Sequence, residues 1–310
     1  MMLVVITHSA NVYQLQGEKW IQYIWCLTMT YTMPLFTIIS GFWYKERPIC
    51  YSLKRYLYPC VLFSLINYIG GGISGAYPDG IPLKAGWAMW YLWSLFIYSV
   101  ITPRIVNRLG IKRLMFLSLL LVFLLGFKFV KNDFLDAQRV VNFYPFYVLG
   151  ILLRKYEMNI YSDRIRKKVI WPLLFVLLTI TYIVLCYYHN GFCYGTGFMG
   201  SHGLSLKGLS FRWLNYILVL IMSVCVIMFC PNRRIAITKY GSRTINVYLL
   251  HMSIIFPMCW WVMRPIMHDW YGYLIYLFAI PAVCSLLFSS LIDSIMNPIL
   301  SYPERYKLGS

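Results

Sequence analysis

The chain has 310 residues, 60% of them hydrophobic and 12% charged, with a formal net charge of +18. Soluble domains carry about 25% charged residues, so these proportions exclude an ordinary soluble globule and predict an all-α, polytopic membrane helix bundle. The positive charge does not require a nucleic-acid partner, because basic residues kept in cytoplasmic loops give a polytopic chain the same excess.

Apolar stretches of roughly bilayer-crossing length recur at residues 1–14, 22–43, 53–72, 86–103, 113–130, 140–153, 169–188, 213–230, 244–263 and 272–292. They predict about ten transmembrane helices. No Pro/Ser-rich or low-complexity linker interrupts the pattern, so residues 1–310 read as a single integral-membrane domain. The first stretch, Met1 to Tyr13, spans about 20 Å as a helix at 1.5 Å per residue. The hydrocarbon core is about 30 Å thick, and no basic flank precedes Met1. This first helix is therefore expected to be truncated on its inner side. It lacks the basic start and cleavage-like end of a signal peptide.

The loops orient the bundle. Lys45, Arg47, Lys54 and Arg55 follow the second helix, and Arg104, Arg108, Lys112 and Arg113 follow the fourth. The next alternate loop holds Arg154, Lys155, Arg164, Arg166, Lys167 and Lys168. Arg233, Arg234, Lys239 and Arg243 follow the eighth helix, and Arg305 and Lys307 lie in the tail. This side is cytoplasmic by the positive-inside rule, and both termini then face the cytoplasm of a cell-membrane, multi-pass protein. Two outer connections differ in kind. Gly70 to Gly86 is rich in Gly and Pro and predicts irregular backbone. Asn190 to Phe211 is rich in Gly, Ser and aromatic residues, which suits an interfacial aromatic belt or a loop facing carbohydrate.

Ionisable side chains inside apolar helices are costly and become functional candidates by default. His8 in the first helix is one; a neutral imidazole there could take a proton from a hydroxyl, or could simply bond a backbone carbonyl. His251, early in the ninth helix, is another, and Tyr248 three residues before it shares its face whereas Asn246 does not. The alternative for His251 is an interhelical hydrogen bond. His189, His202 and His268 fall in outer loops, where solvated surface roles are the default. Lys54 and Arg55 precede Tyr58-Pro59 at the cytoplasmic start of the third helix, and suit phosphate groups as well as orientation. The nine Cys show no CxxC or Cys/His metal spacing, so no metal is expected. No phosphate-cradling glycine loop, GxSxG elbow or paired-carboxylate arrangement is present.

Six stretches, in order, carry a resemblance: LVVITHSAN around His8, MPLFTIISGFWYK from Met33, LKRYLYP from Leu53, MWYLWSLF from Met89, FYPFYVLGILLRK from Phe143, and GSRTINVYLLH ending at His251. Together they resemble integral-membrane acyltransferase family 3, especially its fucose 4-O-acetylase-like branch. The resemblance implies about ten membrane helices and transfer of an acyl group, usually acetyl from acetyl-CoA, with no metal. The implied acceptor is a hydroxyl of a surface glycan or its lipid-linked precursor. The family's first-helix histidine maps onto His8. Of its cytoplasmic arginine pair, Arg55 matches, while Ser52 stands at the partner position with Lys54 close by. A further family arginine would fall a few residues before Met1. In the implied mechanism His8 receives the hydroxyl proton, or carries the acyl group, and Tyr248 and Ser40 are candidate donors to the oxyanion. A transporter or flippase of lipid-linked glycans, and an inactive relative, are the competing readings.

Overall fold

The computed structural model describes residues 1–14, 19–73, 88–125, 136–156, 169–188, 206–230, 234–258 and 270–305. Among them there is no strand. The helices are α1 (Met2–Gln14), α2 (Lys19–Phe42), α3 (Ile49–Ser52), α4 (Tyr58–Ile73), α5 (Trp90–Leu109), α6 (Ile111–Leu125) and α7 (Ala137–Lys155). They continue with α8 (Ile170–Tyr188), α9 (Leu206–Phe229), α10 (Thr244–Pro257), α11 (Trp270–Leu287) and α12 (Ser290–Arg305). A π-helical turn, Leu53–Leu57, joins α3 to α4, and a 3₁₀ segment, Ala236–Arg243, leads into α10.

Each of the ten expected apolar segments meets a helix, with differences at the edges. The fourth starts at Trp90 and runs on to Leu109, and the seventh helix begins at Ala137. The tenth bends by 52° between Leu287 and Ser290 and continues as α12. Gly70–Gly72, expected to be irregular, form the last turn of α4, which runs to Ile73. Propagating an existing helix gains one backbone bond per residue, which offsets the roughly 1 kcal/mol that each glycine costs. The rest of that connection, residues 74–87, lies outside the described residues, as do residues 189–205; Leu206 to Phe211 already belong to α9. His189, His202 and His268 also fall outside the described residues.

Helix length separates the spans. Among the described residues Ile170–Tyr188 is the one unbroken helix both long and apolar enough to cross a membrane, and Leu277–Leu287 with Ser290–Ser301 forms a bent pair of comparable character. By contrast α4, with 16 residues, measures about 24 Å at 1.5 Å per residue. The bundle is all-helical; ten full spans do not follow from helix length and composition.

The chain packs as two compact units, one of residues 1–25, 48–96 and 235–310, the other of residues 26–47 and 97–234. In the first, α10 is the central helix, packed against α1, α4, α11 and α12. It is buried nearly all round: Asn246, Val247, Tyr248, Leu249, His251, Met252 and Ile255 are all shielded. In the second, α6 packs on α7 and α8 on α9. The apolar α8 leaves Leu173, Val176, Leu177, Ile180 and Val184 exposed, the surface expected of a lipid-facing helix.

Candidate functional site

The first unit gathers its polar groups around α10. On α1 the residues Val4, Val5 and His8 follow the three- and four-residue spacing of one helix face, and all three are buried. The neighbouring Thr7 and Ser9 hydroxyls bond back to carbonyls of their own helix, Leu3 for the first and Val5 and Ile6 for the second. They are satisfied locally, as hydroxyls in helices commonly are. His8, 9% exposed, presents its ring to α10, where the His251 ring stands 5.1 Å away between centroids at 43°.

His251 is 0% exposed. Its Nδ1 lies 3.0 Å from the Val247 carbonyl and 2.7 Å from that of Tyr248. A carbonyl can only accept, so Nδ1 carries the proton and Nε2 is left as a lone pair. That Nε2 is buried and has no hydrogen-bond partner among the described residues. Unsatisfied buried groups are rare enough in native structures that each needs a reason. Tyr248 lies on the same face, its ring 6.1 Å from that of His251.

The Tyr248 hydroxyl donates to the carbonyl of Ala88, in the turn that starts α5, and the Cys60 thiol on α4 points to the adjacent Met89 carbonyl at 3.5 Å. Further along both helices, seven residues on from Cys60 and five on from Tyr248, Ser253 on α10 donates to Oδ1 of Asn67 on α4. These two levels of contact show that α4 and α10 advance in the same direction. Their first turns therefore lie at one end of the unit. Lys54 and Arg55, in the π-helical turn before α4, share that end with Arg243, which precedes α10. Lys54 is half-buried and Arg55 exposed. His251 stands about 12 Å along the axis from Arg243 at 1.5 Å per residue.

Arg243 is fixed by Asp293 on α12, 3.7 Å away, and by the Phe288 carbonyl at 2.9 Å. Asn246 donates to the other Asp293 oxygen at 2.9 Å. This network explains Asn246: it ties α10 to α12 and is one helix face away from the histidines. Asn67 and Ser253 were not singled out from sequence, although a polar pair inside apolar helices was a readable signal.

In the second unit Ser40, half-buried on α2, begins a different construction. A Cβ on the next residue, Gly41, would stand 2.0 Å from the Tyr147 carbonyl oxygen, and one on Gly150 would stand 2.1 Å from that of Ile38. The backbones of α2 and α7 thus touch, and only glycine fits at the crossing. Arg154, one turn after Gly150, donates to the Phe42 carbonyl at 3.2 Å and the Tyr44 carbonyl at 3.5 Å. Its guanidinium lies over the Trp43 ring at 5.8 Å, so it closes the C-terminal end of α2. The Tyr44 phenol is pushed up to about 12, first by burial and then by Glu46 and Tyr144, and stays a neutral hydroxyl. Two of the stretches read as separate motifs, SGFWYK and LGILLRK, are therefore the two sides of one helix crossing. Arg154 counted from sequence only as an orientation charge. Its spacing from Gly150 was the signal for its second role.

The structure thus brings His8, His251 and Tyr248 together, and sets Lys54 and Arg55 at one end of the same unit. Cys60, Cys186, Cys225 and Cys284 are buried thiols outside any disulfide. Among the described residues no group of three or more His, Cys, Asp or Glu could hold a metal ion. Across residues 1–291 the chain matches a family model described as an acyltransferase domain. No curated protein and no solved structure matches it.

Proposed function

The chain belongs to this acyltransferase family, and we propose that it is a multi-pass O-acyltransferase that moves an acetyl group from acetyl-CoA to a sugar hydroxyl. The acceptor in this reading is a cell-surface polysaccharide or its lipid-linked precursor. Acyl transfer and membrane association come with the family; the donor and the acceptor are what the resemblance implies, and the transmembrane path is inferred from the loop charges.

The observation that carries the reading is the buried pair of imidazoles, His8 and His251, one above the other on facing helices. They stand about 12 Å, at 1.5 Å per residue of α10, from the end where Lys54 and Arg55 lie. Phosphates of the coenzyme suit those cations, and the thioester, at the far end of its pantetheine arm, then extends along the bundle toward the histidines. The basic end faces the cytoplasm by the positive-inside rule, with both termini on that side. The sugar hydroxyl approaches from the opposite end.

At the pair, His8 takes the hydroxyl proton as oxygen attacks the thioester carbon, a contribution typically worth about 10²–10⁴-fold. The Tyr248 hydroxyl is already donating to the Ala88 carbonyl, so it is a poor candidate for the oxyanion donor. Ser40 lies in the other compact unit.

The test is incubation of membranes containing the protein with labelled acetyl-CoA, followed by detection of label on glycan or lipid-linked sugar. Label that appears there, and is absent with His8→Ala, supports the reading. Membranes rich in folded protein that transfer no label to any glycan would move the chain to the inactive-relative reading.

A further inference from the structure

The mechanism above uses one imidazole, yet two are buried together. The second, His251, has one nitrogen committed to its own helix through the Val247 and Tyr248 carbonyls and the other bare. A buried acceptor without a partner is destabilising by roughly 1–3 kcal/mol. Leucine would fill the same space without that cost. The ring that faces His251 is His8, and a centroid separation of 5.1 Å leaves room for one N–H···N hydrogen bond of about 3 Å between the ring edges.

We propose that His251 is a positioning residue for His8: its bare Nε2 accepts the ring N–H of His8 and so holds His8 in the tautomer whose other nitrogen meets the acceptor hydroxyl. The inference rests on the acyl-transfer reading and deepens it. The chain of groups runs from the Val247 and Tyr248 carbonyls to Nδ1 of His251, from its Nε2 to one nitrogen of His8, and from the second nitrogen of His8 to the substrate. It is the logic of a base oriented by a third group, with a neutral imidazole in the orienting position. An imidazole suits a low-dielectric bundle where a carboxylate would carry an unpaired charge.

The reaction balances with these groups alone. The acceptor O–H gives its proton to the second nitrogen of His8 while its oxygen forms a bond to the thioester carbon. The carbonyl π pair moves to oxygen, then returns and expels the thiolate. The thiolate takes the proton from His8. Thioester and alcohol become ester and thiol, and His251 neither gains nor loses a proton overall.

Two substitutions separate positioning from packing. In His251→Asn the amide N–H can still bond the Val247 and Tyr248 carbonyls, but nothing reaches the Nε2 position. In His251→Gln the amide oxygen reaches the Nε2 position and restores an acceptor. The expected result is a kcat reduced by about 10²-fold or more in His251→Asn, with both KM values within about threefold. His251→Gln should recover kcat to within about tenfold of wild type, a rescue that a packing role does not predict. Wild-type kcat in His251→Asn overturns the proposal. Two folded variants that are equally inactive also overturn it, and would make His251 itself the proton acceptor.

A measurement on the unmutated protein decides the matter even where a variant misfolds. With ¹⁵N-labelled histidine, a nitrogen–nitrogen coupling across the hydrogen bond between His8 and Nε2 of His251 is expected. Resolved ring signals without that coupling overturn the proposal. A wild-type protein that shows the coupling but transfers no acyl group would instead fail the enzymatic reading and leave the pairing standing.

Discussion

The His8 ring packs against the His251 ring at 5.1 Å although the two residues lie near opposite ends of the chain. The Thr7 and Ser9 hydroxyls on α1 are satisfied within their own helix, Tyr248 on α10 donates to the Ala88 carbonyl and Ser253 to Asn67 on α4. Replacing His8 by Ala is expected to lower acyl transfer by about 10²–10⁴-fold, the range for a removed general base. Expression and membrane insertion should be unchanged, because a single imidazole face is lost from a short helix. Label transfer from acetyl-CoA is the measurement. A variant retaining more than about a tenth of the wild-type rate would end the base role for His8.

Lys54 and Arg55 lie in the π-helical turn at the end of α4 that leads toward the histidines. Either one replaced by Ala should raise the KM for acetyl-CoA by about tenfold, from one lost charge-assisted phosphate contact. The acceptor KM should not move. Initial rates over both substrate concentrations give the answer; an unaltered donor KM in both variants returns these cations to membrane orientation.

Tyr248→Phe separates two roles for one hydroxyl. Its proton goes to the Ala88 carbonyl, so its loss is expected to cost about 0.5–1.5 kcal/mol of stability and leave kcat within a few-fold. Thermal unfolding and kinetics are read on the same preparation. A fall in kcat of about 10²–10³ would identify Tyr248 as an oxyanion donor instead.

The α2–α7 crossing makes a purely structural prediction. Gly41→Ala and Gly150→Ala each force a methyl against backbone, at 2.0 and 2.1 Å from a carbonyl oxygen. Backbone cannot move aside as a side chain does, so each should cost about 3 kcal/mol or more, the upper range for overpacking. Ser40→Ala, next door, adds no atom and should lower the melting temperature less than either glycine substitution. Wild-type stability in both glycine variants would show that the helices can separate without penalty.

Much of the molecule is legible in its sequence. Composition and apolar run length require helices, because in hydrocarbon a backbone must satisfy its own hydrogen bonds. A histidine inside an apolar run is conspicuous at once, since such a residue has to be accommodated somewhere. His8, His251 and the basic turn at Lys54 and Arg55 all stood out in this way. Local readings also failed locally: the Gly70–Gly72 run has the composition of a loop, yet the helix behind it carries through.

Which residues meet was decided by the tertiary structure alone. In a soluble helix a polar face and an apolar face announce the rotation that packing will choose. In helices apolar all round, such as α8 and α11, that signal is nearly silent, because lipid and protein interior are equally apolar. The contact of His8 with His251, the bare Nε2 left by two helix carbonyls, and the reach of Arg154 across Gly41 and Gly150 to the end of α2 each depend on a helix rotation and a choice of neighbour. Those choices are set by close packing of small residues and by polar groups finding partners. Residues far apart in sequence make them, so no single stretch of the chain contains them.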